Sequence, residues 1–221
     1  DYLENLFCSL KNNYRVIAFR AGGWYNQPSI YIYRSLINLG IKAEVSVRKG
    51  IIRDMGKIGK IDFSSAPQDK EYWYADENDF SKENSSNKGI LEIPIYTKKL
   101  NIPMPFSLLK SRPSTFFYYL NFFIKNLLKE KSQTPPMLSK NKYSTMYCNF
   151  GLFHHLNLFD IVKDILKNNK YQSIPLIMLS HSKSFNSHLN FDKLLEKLQS
   201  ISEVQFATTQ DTIQKLENNN L

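Results

Sequence analysis

Cysteine is scarce in this chain. Two residues in 221, Cys8 and Cys148, lie far apart in apolar surroundings. That excludes a disulfide framework, and both read as free core thiols. No C-x-x-C or other zinc-ligand spacing occurs, which excludes a zinc ribbon or finger. No run of about 18 apolar residues is present, so no membrane-spanning helix is expected. The most apolar stretch, Phe116 to Leu128, is broken by Asn121, Lys125 and Asn126. There is no G-x-G-x-x-G and no P-loop. Nucleic-acid-binding motifs and internal repeats are also missing.

What is present suits one α/β domain. The apolar share is 42% and the length allows a real core. The net charge is +9, but the lysines are spread along the chain and form no stripe. This is general surface charge that favours anionic surroundings, with no nucleic-acid partner implied. Aromatics reach 14%, clustered around Trp73 and from Phe116 to Phe123. Such residues fill cores or line sugar-binding clefts. The chain opens at Asp1 inside an amphipathic pattern of Leu3, Leu6, Phe7 and Leu10, the pattern expected of a piece of a longer protein.

The periodicity predicts a helix over 2–13, a strand over 15–19, a helix from Pro28-Ser29 to Leu39 capped by Gly40, and a strand over 41–47. That alternation implies parallel pairing. Residues 48–71 read as a long irregular loop, and loops of that length usually carry function. A short strand is expected over 90–94. A proline-rich helical excursion occupies about 97–146, with a helix from Ser114 to Lys131. Later come helices over 157–168, 191–198 and 209–217, and strands over 175–180 and 204–207.

Two strand ends stand out. The run Val16-Ile17-Ala18-Phe19 leads into Arg20, then Ala21-Gly22-Gly23-Trp24. A charge at the end of a buried strand needs a partner, either a loop carboxylate or an anionic ligand. The run Pro175 to Ser180 leads likewise into His181. Histidine suits proton transfer near neutral pH, and parallel strands would bring both residues to one rim. His154-His155 are adjacent and cannot chelate one metal from a regular helix. His188 reads as solvated. Asp76, Glu77 and Asp79 read as a solvated acidic loop.

The order of these segments resembles a known family. Phe19-Arg20-Ala21-Gly22-Gly23-Trp24, then Asp62, Ala66-Pro67 and Tyr72-Trp73, then Ile90-Leu91-Glu92-Ile93-Pro94, then Met178-Leu179-Ser180-His181-Ser182 follow the sequence seen in polysaccharide deacetylase-like proteins. These are the NodB-homology proteins of carbohydrate esterase family four. The resemblance covers most of residues 15–210 outside the excursion. It implies a distorted (β/α) barrel, here lacking its first strands. It implies a hydrolase acting on the carbon–nitrogen bonds of acetylated sugars, with a divalent metal, usually zinc, polarising the acetyl group. By that resemblance Arg20 orients a catalytic aspartate, His181 is the general acid, and Asp62 is the carboxylate that tunes it. Leu179 lines the acetyl pocket, while Trp24, Tyr72 and Trp73 are the substrate-side aromatics.

The family's Thr-Phe-Asp-Asp strand end and His-x-x-x-His pair do not occur here. Those motifs carry the base and the metal ligands. The residues present are therefore expected to bind no zinc through the usual triad. Two readings of function stay open: a hydrolase whose partner residues precede Asp1, and a catalytically silent glycan-binding or scaffold domain. A nucleotide-sugar transferase using Arg20 as a phosphate clamp ranks third.

Overall fold

The computed structural model describes residues 2–8, 14–54, 56–99, 143–145, 155–168, 173–177 and 191–219. In chain order the elements are α1 (Tyr2–Cys8), β1 (Ala18–Phe19), α2 (Ile30–Asn38), β2 (Ala43–Glu44), β3 (Ile52–Asp54), β4 (Lys60–Asp62), β5 (Trp73–Tyr74), β6 (Leu91–Glu92), β7 (Thr97–Lys99), β8 (Tyr143–Thr145), α3 (His155–Asn168), α4 (Phe191–Gln199) and α5 (Thr209–Asn219). The chain divides into two compact units. The first holds Asp1–Ile95, Ile174–Ile177 and Ala207–Leu221, and the second holds Tyr96–Ser173 and Met178–Phe206. The second unit thus takes in the expected excursion and extends beyond it. Within it, β7 and β8 pair antiparallel, and α3 packs with α4.

The first unit is built on a four-stranded sheet of order β1-β2-β6-β5. β1, β2 and β6 run parallel, and β5 runs antiparallel to β6. The expected alternation of strand and helix produces this pairing, because β1, α2 and β2 form one crossover unit. Among the described residues the sheet ends at β1 and β5, and no closed barrel is formed. Isolated parallel bridges continue it, from Arg48 to Ile95 and from Ile95 to Ile177.

α2 forms because Ile32, Tyr33 and Leu36 share a face over the core. It stops in a Schellman turn: Gly40 N–H bonds to Ile37 O at 3.0 Å, and Ile41 N–H bonds to Leu36 O at 2.9 Å. Gly40 sits at φ +73°, a conformation that glycine adopts without strain.

Side chains alternate across the sheet. Ala43 and Leu91 face Ile213 and Leu216 of α5. On the opposite side Leu36, Val47, Ile61, Phe63, Trp73, Phe80 and Ile90 form the larger core, with Phe19 against it. On this side the register sets Phe19 opposite Glu44, Glu44 opposite Glu92, and Glu92 opposite Trp73. One lateral row across the sheet therefore holds two glutamates between two aromatic residues.

Several expectations from the sequence change. The loop expected over 48–71 contains an antiparallel hairpin, β3 with β4. The strand expected over 204–207 is not formed; those described residues lie in an irregular link ahead of α5. The strand expected over 41–47 is regular only at Ala43–Glu44. The Ser46 N–H bonds to the Glu44 carboxylate at 3.0 Å, so the ladder is interrupted there.

Candidate functional site

The C-terminal ends of three neighbouring parallel strands lie along one edge of the sheet. Arg20 follows β1, Glu44 closes β2, and Glu92 closes β6. The carboxyl ends of parallel strands are where α/β folds place ligand sites. Ile177 forms an isolated parallel bridge with Ile95. His181 and Leu179 themselves lie outside the described residues.

Arg20 departs from its expected setting. β1 is only half-buried and Arg20 is exposed, so burial does not demand a counter-charge for it. The buried charges at these strand ends are the glutamates, both fully inaccessible to solvent. Glu44 is well supplied with donors. Its carboxylate accepts from Asn26 Nδ2 at 3.2 Å, from Ser46 N–H at 3.0 Å, and from the Ser46 hydroxyl in a very short bond. Glu92 is not. Its Oε1 accepts from Val47 N–H at 3.2 Å, and its Oε2 has no donor. Burial pushes the Glu44 carboxyl up, opposed by the neighbouring Glu92 carboxyl and by its bonds to Ser46 and Asn26. Burial pushes Glu92 well up, and the neighbouring Glu44 adds to the rise.

Around this pair the segment from Ala21 to Ser29 is tied down repeatedly. Ala21 N–H donates to Ser46 Oγ at 2.7 Å. Asn26 holds Glu44, and Gln27 clamps the Asp62 backbone with bonds of 2.9 and 2.8 Å. Ser29 Oγ donates to Asn26 O at 2.9 Å and accepts from Phe80 N–H at 3.2 Å. Asn26 and Ser29 are fully buried and Gln27 is half-buried, and Asn26 Oδ1 is left without a partner. The result is a rigid turn directly after Arg20. Within it Gly23 and Trp24 both adopt positive φ, +63° and +64°. A tryptophan in that region is strained unless its surroundings hold it there. The Arg48 guanidinium lies 4.5 Å from the Trp24 ring centroid and supplies such a contact.

The remaining expected site residues divide. Trp24 and Tyr72 are half-buried, Trp24 in the turn after Arg20 and Tyr72 ahead of β5. Trp73, expected to wall a cleft, is 2% exposed and belongs to the core. Its Nε1–H donates to Phe80 O at 3.0 Å. An indole enclosed on all sides presents no face to a sugar. Asp62 is on the hairpin, its carboxylate directed to Lys60 Nζ at 2.8 Å and to Ser64 Oγ at 2.6 Å. The Lys60 bond, followed by the Ser64 bonds, lowers it to about 2. It is a half-buried, ion-paired carboxylate, unlike the fully buried group that would raise or tune a partner. Glu44 was not singled out from the sequence, and Glu92 appeared only as a letter of the Ile90–Pro94 motif. A glutamate inside an otherwise apolar strand was the available signal for Glu92; Glu44 alternates with Lys42 and Ser46 and looks like the polar face of a half-buried strand.

Zinc sites take at least three protein ligands, most often His, Cys or carboxylate. Among the described residues no group of three or more such side chains gathers. Glu44 already spends its lone pairs on Ser46 and Asn26. The described residues do not fit a zinc centre, and no catalytic step is derived through one. Among the described residues no helix is long and apolar enough to cross a membrane. No family model, curated protein or solved structure matches the chain.

Proposed function

We propose that the chain is a polysaccharide deacetylase-like hydrolase that acts on an acetylated amino sugar of a glycan. The observation that supports this reading is the edge where Arg20, Glu44 and Glu92 end three adjacent parallel strands. Arg20 is exposed there and precedes a tethered glycine turn, so a ligand can reach its guanidinium. Trp24, in the turn after Arg20, is half-buried and is the aromatic residue that this reading sets against a sugar. His181, four residues beyond the Ile95–Ile177 bridge, is the proposed proton donor to the leaving amine. The four-stranded sheet would form part of the (β/α) barrel that goes with this function.

The test is acetate release from an N-acetylated chito-oligosaccharide, measured with and without added zinc. His181→Ala should lower turnover by about 10²-fold or more. Unchanged turnover would remove the histidine from the mechanism. A second reading, a glycan-binding or scaffold domain without catalysis, is favoured by one observation: the described residues assemble no metal-ligating group. Oligosaccharide binding without acetate release, under every metal condition, would establish that reading instead.

A further inference from the structure

We infer that Glu44 and Glu92 hold one proton between them, carried on Glu92 Oε2, and that through Ser46 this pair positions the turn that follows Arg20. Hydrogen-bond donors are unequally shared between the two carboxyls. Glu44 receives three hydrogen bonds and is satisfied as an anion. Glu92 receives one, from Val47 N–H, and leaves Oε2 buried and without a donor. A second anion in that place would be a buried, almost unsolvated charge beside a like charge. With the proton on Oε2 the orphan acceptor becomes a donor, and the register sets Glu44 directly opposite Glu92 on the neighbouring strand. The pair is then a carboxylic acid bonded to a carboxylate, the arrangement in which two close carboxyls share a charge.

Among the described residues no cation is set against the pair. The partners facing the pair are Asn26, Ser46 and the Val47 N–H, all neutral. Phe19 and Trp73 flank the row. Lys49, the buried cation on the chain just after β2, is directed to Glu71 at 3.4 Å and to the Lys70 carbonyl. Arg48 stacks on Trp24. Tyr72 and Tyr74 pack on the opposite side of the sheet.

The consequence for the site runs through Ser46. Its hydroxyl donates to Glu44 and its oxygen accepts the Ala21 N–H, next to Arg20. Glu44 thus fixes the hydroxyl's direction, and the hydroxyl fixes the turn. Loss of the shared proton places two like charges in the row and weakens that chain of bonds. Both glutamates are positioning residues, since neither reaches solvent. Their service to a reaction rests on the hydrolase reading; the shared proton does not.

The experiment uses the intact chain. Infrared difference spectra at neutral pH should show the carbonyl stretch of a buried protonated carboxyl, lost in Glu92→Gln. Should that variant fail to fold, the wild-type chain alone decides: denaturant unfolding at neutral pH, in weakly buffered solution, should release about one proton per chain. A missing carbonyl band, a band that persists in a folded Glu92→Gln, or no proton release would overturn the shared proton. The positioning role is read from Ala21 amide exchange, which should be faster in Ser46→Ala than in wild type. It is read also from the pH profile of acetate release, whose alkaline limb should move in Glu92→Gln. An unchanged exchange rate would overturn the positioning role. If no acetate is released but the band and the proton count hold, the hydrolase reading fails and the shared proton stands.

Discussion

Glu92→Gln turns the buried carboxyl pair into a stability measurement. Both glutamates bind their protons more tightly in the folded chain than in the unfolded one, Glu92 most of all, because burial and Glu44 oppose its ionisation. Above the ordinary carboxylate range the native state therefore carries more protons than the unfolded state. Stability must then fall as pH rises, by about 1.4 kcal/mol per pH unit for each such proton. The contribution is greatest below the unfolded pKa and is lost as pH climbs toward the folded one. With one proton retained on the pair, the loss between pH 5 and pH 7 is about 2.7 kcal/mol. For a chain of this size that is roughly 5–10 °C in Tm. Glutamine keeps the shape, supplies an N–H in place of the O–H, and cannot ionise. Its stability should therefore lack this slope, so that the variant gains on wild type by about 2.7 kcal/mol over the same interval.

Urea unfolding at several pH values, followed by tryptophan fluorescence, gives the comparison. Both tryptophans, Trp24 and Trp73, lie in the first compact unit, so the signal reports the unit that holds the pair. The difference between the two proteins is the quantity to read, because histidines and exposed carboxylates contribute equally to both. Stability curves of wild type and Glu92→Gln that run parallel from pH 5 to pH 7 would refute the reasoning.

Other substitutions separate core from site. Trp73→Ala should destabilise by about 3–5 kcal/mol through the cavity it leaves, measured as a lower urea midpoint, whereas a cleft wall would show mainly as weaker oligosaccharide binding. Asp62→Asn should change stability by no more than about 1 kcal/mol, because its ion pair with Lys60 is exposed to solvent; a larger loss by denaturant melt would show that the hairpin depends on it. Gly40→Ala should cost about 1 kcal/mol at the end of α2, where φ is +73°, and calorimetry of the variant would detect an unchanged Tm if the turn relaxes freely.

Much of the first unit's secondary structure was legible in the sequence because its signals are local. The apolar stripe of α2 and Gly40 beyond it mark that helix and its end. The apolar runs before Arg20 and around Leu91 mark β1 and β6, and the helix between the strands over 15–19 and 41–47 implied the parallel pairing of β1 with β2; the place of β6 beside β2 was not implied. The hairpin of β3 and β4 was not legible, since short strands split by a glycine turn look like loop. The second unit's extent was not legible either, because contacts distant in sequence define it.

The sequence by itself determined which residues are exposed to chemistry of a given kind: a guanidinium ahead of a glycine pair, and a histidine after an apolar run. Those are properties of one segment and its own backbone. Only the tertiary structure decided that Glu44 and Glu92 are neighbours. They stand 48 residues apart in number (92 minus 44), and the parallel register alone sets them side by side. The same register encloses Trp73 and leaves Arg20 in solvent. Burial is a sum over the surfaces that pack together, and no single segment contains that sum.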